Sequence, residues 1–274
     1  MTTKYHIVIG TLDRTPQVNY LGGTMQSLRR SGLWDSPVTF RLDIVDSGSP
    51  HWADYINTQV YENLPAHLQR MLTVHSLDQA ELTKARPQFV SEKNGIVRRS
   101  RNANALACLE AGLASNSPWV LFLEADIEVC ADFLGSVDRW LNEHARRNCH
   151  MYSFATPYKA VCSARDAGQT SWAYPVRGFY GNQALAFTRA DALSAWTYIS
   201  KRLPTWDTGQ GFDLLLKEWA TKVFNAESFM ASVPSFAQHM GVESTLHLGR
   251  FHQVSAFAGT DWSYAGRTPE VMHE

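Results

Sequence analysis

Apolar residues along this chain follow two rhythms: short continuous runs, and longer stretches in which they return every three or four positions. The first reads as buried strands and the second as amphipathic helices. His6–Gly10 is a first strand, broken at Gly10-Thr11, and a polar loop follows over Leu12–Asn19. Tyr20–Ser31 has helical spacing, with Leu21, Met25 and Leu28 on one face. Phe40–Val45 is a second strand that ends in Asp46-Ser47-Gly48-Ser49-Pro50, a cluster of turn residues. Residues 51–94 are mixed and polar, with a third strand near Met71–Val74. Arg98–Ala114 reads as a helix with Ala105, Leu106, Cys108, Leu109 and Leu113 on its apolar side. A strand at Trp119–Leu123 and a helix at Ala131–Arg146, burying Phe133, Leu134, Val137, Trp140 and Leu141, complete this half. Strands alternating with helices predict a mostly parallel sheet.

The second half is less regular. Met151–Ala155 reads as a strand, 163–173 as a loop, and Tyr180–Thr188 as a short strand pair turning at Gly181-Asn182. Phe212–Thr221 is a short helix with Leu215, Leu216 and Trp219 inward, and Phe229–Phe236 is an apolar run ending at Gln238-His239. The tail from Phe251 is rich in Gly, Ser and Thr and is expected to wrap the surface. There is no internal repeat, long linker or low-complexity segment.

The chain has 274 residues, 45% of them hydrophobic and 19% charged, an ordinary globular composition. A formal net charge of −1 supplies no global field for nucleic acid or an anionic membrane. The four cysteines, Cys108, Cys130, Cys149 and Cys162, form no CxxC pair and read as free thiols in a reducing compartment. No signal peptide opens the chain, and no apolar stretch reaches the roughly 18–20 residues of a membrane span. A cytoplasmic protein of a bacterial or viral host cell is expected. Nine Trp and ten Tyr are a supply of flat faces suited to stacking on sugars, although Trp is also a normal core residue.

The chemistry concentrates at residues 118–128, Pro-Trp-Val-Leu-Phe-Leu-Glu-Ala-Asp-Ile-Glu. A buried strand here ends in Glu124 and Asp126. Ligands in open α/β sheets bind beyond the carboxyl ends of the strands, so the strand delivers two acids to that place. Mg²⁺ and Mn²⁺ favour carboxylate oxygens, and Mg²⁺ uses one or two of them together with phosphate oxygens. The competing reading is a strand end carrying ordinary surface acids. His239 follows another apolar run and is a second candidate metal ligand or phosphate donor. His247 and His252 are weaker alternatives, and Arg250 between them is suited to phosphate oxygens.

Several blocks, in order along the chain, carry a resemblance. They are Ile7-Val8-Ile9-Gly10; Tyr20-Leu21-x-x-Thr24-Met25-x-Ser27-Leu28; Val97-Arg98 with Asn104; Leu123-Glu124-Ala125-Asp126-Ile127; Phe212-Asp213-Leu214-Leu215; and Pro234-Ser235-Phe236-x-Gln238-His239-Met240-Gly241-x-x-Ser244-x-Leu246. Together they resemble GT-A fold glycosyltransferases, and within these the N-acetylglucosaminyltransferase IV family. The last block is the most specific. Two departures stand out. Ala125 replaces the middle Asp of the family's metal motif, and the anchor, stem and extra C-terminal sequence of eukaryotic members have no counterpart here.

The resemblance implies one α/β GT-A domain over 1–274. Residues 1–128 form the nucleotide-sugar half, with a mostly parallel sheet flanked by helices, and 129–274 form the acceptor half. It implies an inverting, metal-dependent transfer of GlcNAc or another hexose from a UDP-sugar to an acceptor hydroxyl. A Mn²⁺ or Mg²⁺ cofactor would be held by Asp126 and His239. Glu124 would bind the ion through water or hold the ribose. The donor pocket would draw on Thr11, Arg14, Asp46, Arg98, Asn104 and Glu124, with Arg101 solvated or near phosphate; Asp46 has an equal claim as a turn cap. Inversion needs a general base. That role falls to Asp213, with Asp207 as runner-up; an N-cap is the competing reading for Asp213. The aromatic segment Trp172–Phe179 and Gly181-Asn182-Gln183 would line the acceptor side.

The acceptor itself stays open among a glycan, a lipid-linked sugar, a protein and a modified nucleobase in DNA. Ala125 keeps a second class in play, a non-catalytic nucleotide-sugar-binding protein. A nucleotidyltransferase is disfavoured because Gly10-Thr11-Leu12-Asp13-Arg14 is not a Gly-rich basic phosphate loop.

Overall fold

A computed structural model describes residues 3–13, 18–85, 89–93, 96–206, 210–240 and 256–264. The first half contains β1 (Tyr5–Thr11), α1 (Leu21–Arg30), β2 (Phe40–Asp46), α2 (Trp52–Gln59), α3 (Ala66–Gln69), β3 (Leu72–His75) and α4 (Gln79–Lys84). It continues with β4 (Val90–Lys93), β5 (Ile96–Arg99), α5 (Arg101–Leu113), β6 (Trp119–Glu124) and β7 (Ile127–Val129). The rest is α6 (Phe133–His144), β8 (Tyr152–Ser153), α7 (Ala160–Asp166), β9 (Ser171–Pro175), β10 (Ala184–Thr188), α8 (Arg189–Arg202), α9 (Phe212–Phe224), β11 (Ser228–Ser232) and β12 (Ala237–His239).

An eight-stranded sheet in the order β3-β2-β1-β6-β10-β8-β11-β9 organises the fold. The first four strands are all parallel, as the alternation predicts; β10 and β9 run antiparallel to their neighbours. Strands buried on both faces read as continuous apolar runs, and β1 and β6 behave this way. Ile7 and Ile9 join the core that holds α1 and α6, whereas Val8 joins the core under α5, α8 and α9. Each layer is anchored by a fully buried tryptophan, Trp140 on one side and Trp219 on the other. Two two-stranded sheets, β12·β7 and β4·β5, lie beside the main one.

Several expectations change. Arg98 lies in β5, not in a helix, and α5 begins after Ser100, whose hydroxyl accepts from the Ala103 N–H. Residues 163–173 hold part of α7 and the start of β9 rather than a loop. Tyr180–Thr188 is one strand after a loop, because Gly181 has φ 88° and turns the chain without pairing it. Of the apolar run Phe229–Phe236, only the part through Ser232 is strand. The fourteen-residue α8 carries no apolar stripe in the sequence, because much of what it buries is small: Ala192 and Ala195 with Ile199. All four cysteines are free thiols, and three are buried. Among the described residues no helix is long and apolar enough to cross a membrane.

On the α5 side of the sheet, one fully buried carboxylate is heavily engaged. Asp43 accepts from Arg41 Nε (2.8 Å), pairs with His75 Nε2 (2.7 Å) and lies 3.2 Å from His6 Nε2. Burial alone would raise its pKa, but hydrogen bonds from His6, Arg41 and His75 outweigh it and hold the group well below the usual carboxylate range.

Candidate active site

β1, β2 and β6 all end at the same edge of the sheet, since they are parallel and in register from Tyr5, Phe40 and Trp119. That edge gathers Thr11, Asp46 and Glu124. The β10 strand enters there too: Ala184 pairs with Leu123, and the Glu124 N–H donates to the Gln183 carbonyl. The chain then turns through Ala125 and Asp126 into β7, which pairs with β12 and so brings His239 alongside.

Asp126 Oδ2 and His239 Nε2 lie 3.1 Å apart, and Asp126 is only 5% exposed. The Met240 N–H donates to the Asp126 carbonyl, which ties the two segments through their main chains as well. The turn is held from below by α1. The Thr24 hydroxyl is 2.8 Å from the Ala125 carbonyl oxygen and 2.9 Å from that of Ile127, and it accepts from the Ile127 N–H at 3.1 Å. One turn on, the Ser27 hydroxyl accepts from the Val129 N–H. Thr24 and Ser27 stand in the Tyr20–Leu28 block, but apolar spacing alone could not mark them as supports of the acid-bearing turn.

Thr24→Val keeps the shape but removes every hydrogen bond of this buried hydroxyl. Leaving buried polar groups unpaired costs about 1–3 kcal/mol, so urea unfolding should show a loss in that range. Thr24→Ser should restore most of it.

The donor-side candidates divide. Asp46 has its carboxylate filled by its own turn: it accepts from the Gly48 and Ser49 N–H groups and from the Ser49 and Ser76 hydroxyls, and it is fully buried. Gly48 makes this possible at φ 93°. Thr11 bonds Tyr55 through its hydroxyl (2.6 Å), and its carbonyl accepts from Ser47. Asn104 reaches the same carbonyl with its amide at 3.5 Å. Arg99, beside the expected Arg98, reaches this edge. Its guanidinium donates to the Asp46 carbonyl (3.2 Å) and to Asn104 Oδ1 (3.5 Å), and it makes no ion pair among the described residues. Burial lowers its pKa. Arg98 is the neighbouring residue in β5, and successive strand side chains point oppositely; its buried Nε finds no partner among the described residues.

Asp213 is the second residue of α9, where the helix dipole favours negative charge. The N-cap position is Gly211, and the Asp213 carboxylate lies against the N–H groups of the first turn. Asp213 is 9% exposed, and burial raises its pKa against the opposing pull of Lys217, of the Leu214 and Asp213 N–H groups and of Arg101. The start of α9 is tied to the start of α5 by a hydrogen bond from the Asn102 amide to the Gln210 carbonyl. Arg14, Asp207, His247, Arg250 and His252 lie outside the described residues.

Among the described residues, no cluster of three or more His, Cys, Asp or Glu side chains is placed to hold a metal ion. Asp126 and His239 nonetheless form a carboxylate-plus-imidazole pair, a donor set that suits Mn²⁺ or Mg²⁺ where substrate phosphates supply the other oxygens.

No protein-family model matches the chain, and neither does any curated protein sequence. Among solved structures, it is similar to S. aureus TarS 1–349 in complex with UDP-GlcNAc at 12% identity and a TM-score of 0.49, over 89% of this chain and 62% of that one. TarS 1–349 in complex with UDP matches at 12% identity and a TM-score of 0.47, over 84% of this chain and 58% of that one. The chain thus spans less than two thirds of the TarS chains it matches. The galactosyltransferase LgtC, in complex with donor and acceptor sugar analogues, matches at 12% identity and a TM-score of 0.43, over 80% of this chain and 70% of that one.

Proposed function

We propose that this chain is a GT-A glycosyltransferase, related to the N-acetylglucosaminyltransferase IV family, that moves a hexose from a UDP-sugar to an acceptor hydroxyl with inversion. The observation that carries this reading is the Asp126–His239 pair at the turn after β6, and it is supported by a second buried acid, Asp213, at the start of α9. Asp126 is paired with an imidazole and suits a cation; Asp213 is buried, with its pKa raised, and suits a proton acceptor. UDP as the carrier rests on the sequence resemblance.

When bound, a divalent ion would offset the charge that grows on the leaving diphosphate; Asp126 and His239 would hold it. Arg99 supports the same end, as a half-buried cation without a carboxylate partner among the described residues. Asp213 would take the proton from the acceptor hydroxyl as that oxygen attacks the anomeric carbon. A base works best when its pKa approaches the working pH, and burial moves Asp213 in that direction. The Ala125 departure does not undo the site, because that residue contributes its main-chain carbonyl to Thr24.

The test is UDP release from a panel of UDP-sugars, with Mn²⁺ and with excess EDTA. Slow hydrolysis of at least one donor in Mn²⁺, abolished by chelation, is expected. Donor binding without any UDP release would make the chain a binding protein, and undiminished release in EDTA would remove the metal from the mechanism.

A further inference from the structure

We infer that Tyr158 and Trp172 form a stacking platform for the ring of a neutral saccharide, and that this saccharide is the acceptor. The inference rests on the glycosyltransferase reading but concerns a different part of the molecule.

Strand directions place the platform at the reactive edge. β8 and β11 are parallel to each other and run the same way as β6, so the loop after Ser153, which carries Tyr158, leaves at that edge. β9 runs back from there: Trp172 pairs with Ala231, one residue before the end of β11. The two rings are stacked, with centroids 5.5 Å apart and planes 18° from parallel. Tyr174 lies against both, at 5.1 Å from Trp172 and 6.1 Å from Tyr158. Tyr174 is fully buried, and its hydroxyl is held on both sides by the main chain of Tyr180, accepting from the N–H and donating to the carbonyl. Its pKa is pushed up to about 12, first by burial and further by the charge of Asp213. The floor of the platform is therefore fixed.

Above this floor Tyr158 is 47% exposed and Tyr180 43% exposed. Tyrosine and tryptophan give large contact area at low entropy cost because few of their bonds rotate, and ligand sites are commonly lined by such faces with a few polar groups beside them. A sugar ring presents an apolar C–H face to stack and hydroxyls at its rim, one of which would meet Asp213. Charge argues for a neutral ligand. A net charge of −1 gives no global attraction for a polyanion.

Tyr158→Ala and Tyr158→Phe test this, with Trp172→Ala alongside. Ligand-observed NMR with methyl glycosides, chitotriose and maltotriose measures saccharide binding, and a single-stranded oligothymidylate serves as the polyanion arm. Hydrolysis of UDP-sugar by water is followed separately. At least one saccharide should bind the parent. Tyr158→Ala should weaken it roughly tenfold, about 1.4 kcal/mol, while Tyr158→Phe binds like the parent and donor hydrolysis is unchanged in both. Saccharide binding that Tyr158→Ala leaves intact, or binding of the oligonucleotide alone, overturns the platform; so does the absence of any saccharide binding. If the parent releases no UDP, the glycosyltransferase reading fails on its own, and saccharide binding still decides the platform.

Discussion

Asp213→Asn is expected to lower transfer by about 10²–10⁴-fold, the usual range for removing a general base, with donor binding by calorimetry nearly unchanged. The substitution keeps shape and hydrogen-bonding reach but cannot accept a proton. Stability should not follow activity. An acid whose folded pKa is raised binds its proton more tightly in the folded state, so it costs stability as pH rises above the unfolded value of about 3.9. Asn removes that cost while giving up a favourable helix-dipole term of about 0.3–1 kcal/mol, so the melting temperature at neutral pH should hardly move. In the parent, kcat should climb with pH as Asp213 loses its proton, with a midpoint above the ordinary Asp value; the variant should lack that rise. Parental turnover in Asp213→Asn together with a collapse in Asp207→Asn would move the base to Asp207.

Asp126→Ala should reduce kcat/KM by roughly 10³-fold or more. Cation assistance to a leaving phosphate contributes several kcal/mol, and each 1.36 kcal/mol is about tenfold in rate. The side chain sits in a turn that Thr24 and the Met240 N–H hold through main-chain atoms. The fold should therefore survive the substitution, as circular dichroism and a single cooperative unfolding transition would show. Retention of most activity in Mn²⁺ by a normally folded Asp126→Ala would sink the metal assignment. His239→Ala should shift the Mn²⁺ concentration needed for half-maximal rate upward more than it lowers the rate at saturation.

The first half was legible because its central strands are parallel and buried on both faces. Such strands are forced into apolar runs, as β1 and β6 are, and β2 and the half-buried edge strand β3 were also found within a residue. The acid turn was legible for the same reason, as charge at the end of an apolar run. What escaped was whatever depends on a single residue of register. Placing a helix start at Arg98 hides Arg99, because β5 extends through Arg99 and consecutive strand residues face opposite ways, and it is Arg99 that reaches Asp46 and Asn104. The Ser100 cap three residues before the Ala103 N–H was the local signal that could have corrected this. Asp46 illustrates a different limit. Whether a buried Asp serves a ligand or its own turn depends on partners such as Ser76, thirty residues away, which no local pattern reveals. In the second half, α8 stayed hidden because small alanines do part of its packing, and Tyr158 met Trp172 only through strand pairing.

The Asp43 cluster has a consequence for how this protein would meet acid. Its carboxylate is held below the usual range, so the stability it supplies is complete above the unfolded value of about 3.9 and drains away only as pH falls through the lower folded value. Asp213 is shifted the other way and takes up its proton first. Between the two lies an interval in which Asp213, the proposed base, is protonated while the Asp43 carboxylate is still ionised among His6, Arg41 and His75. Acidification in that interval is expected to lower turnover reversibly, with activity returning on neutralisation.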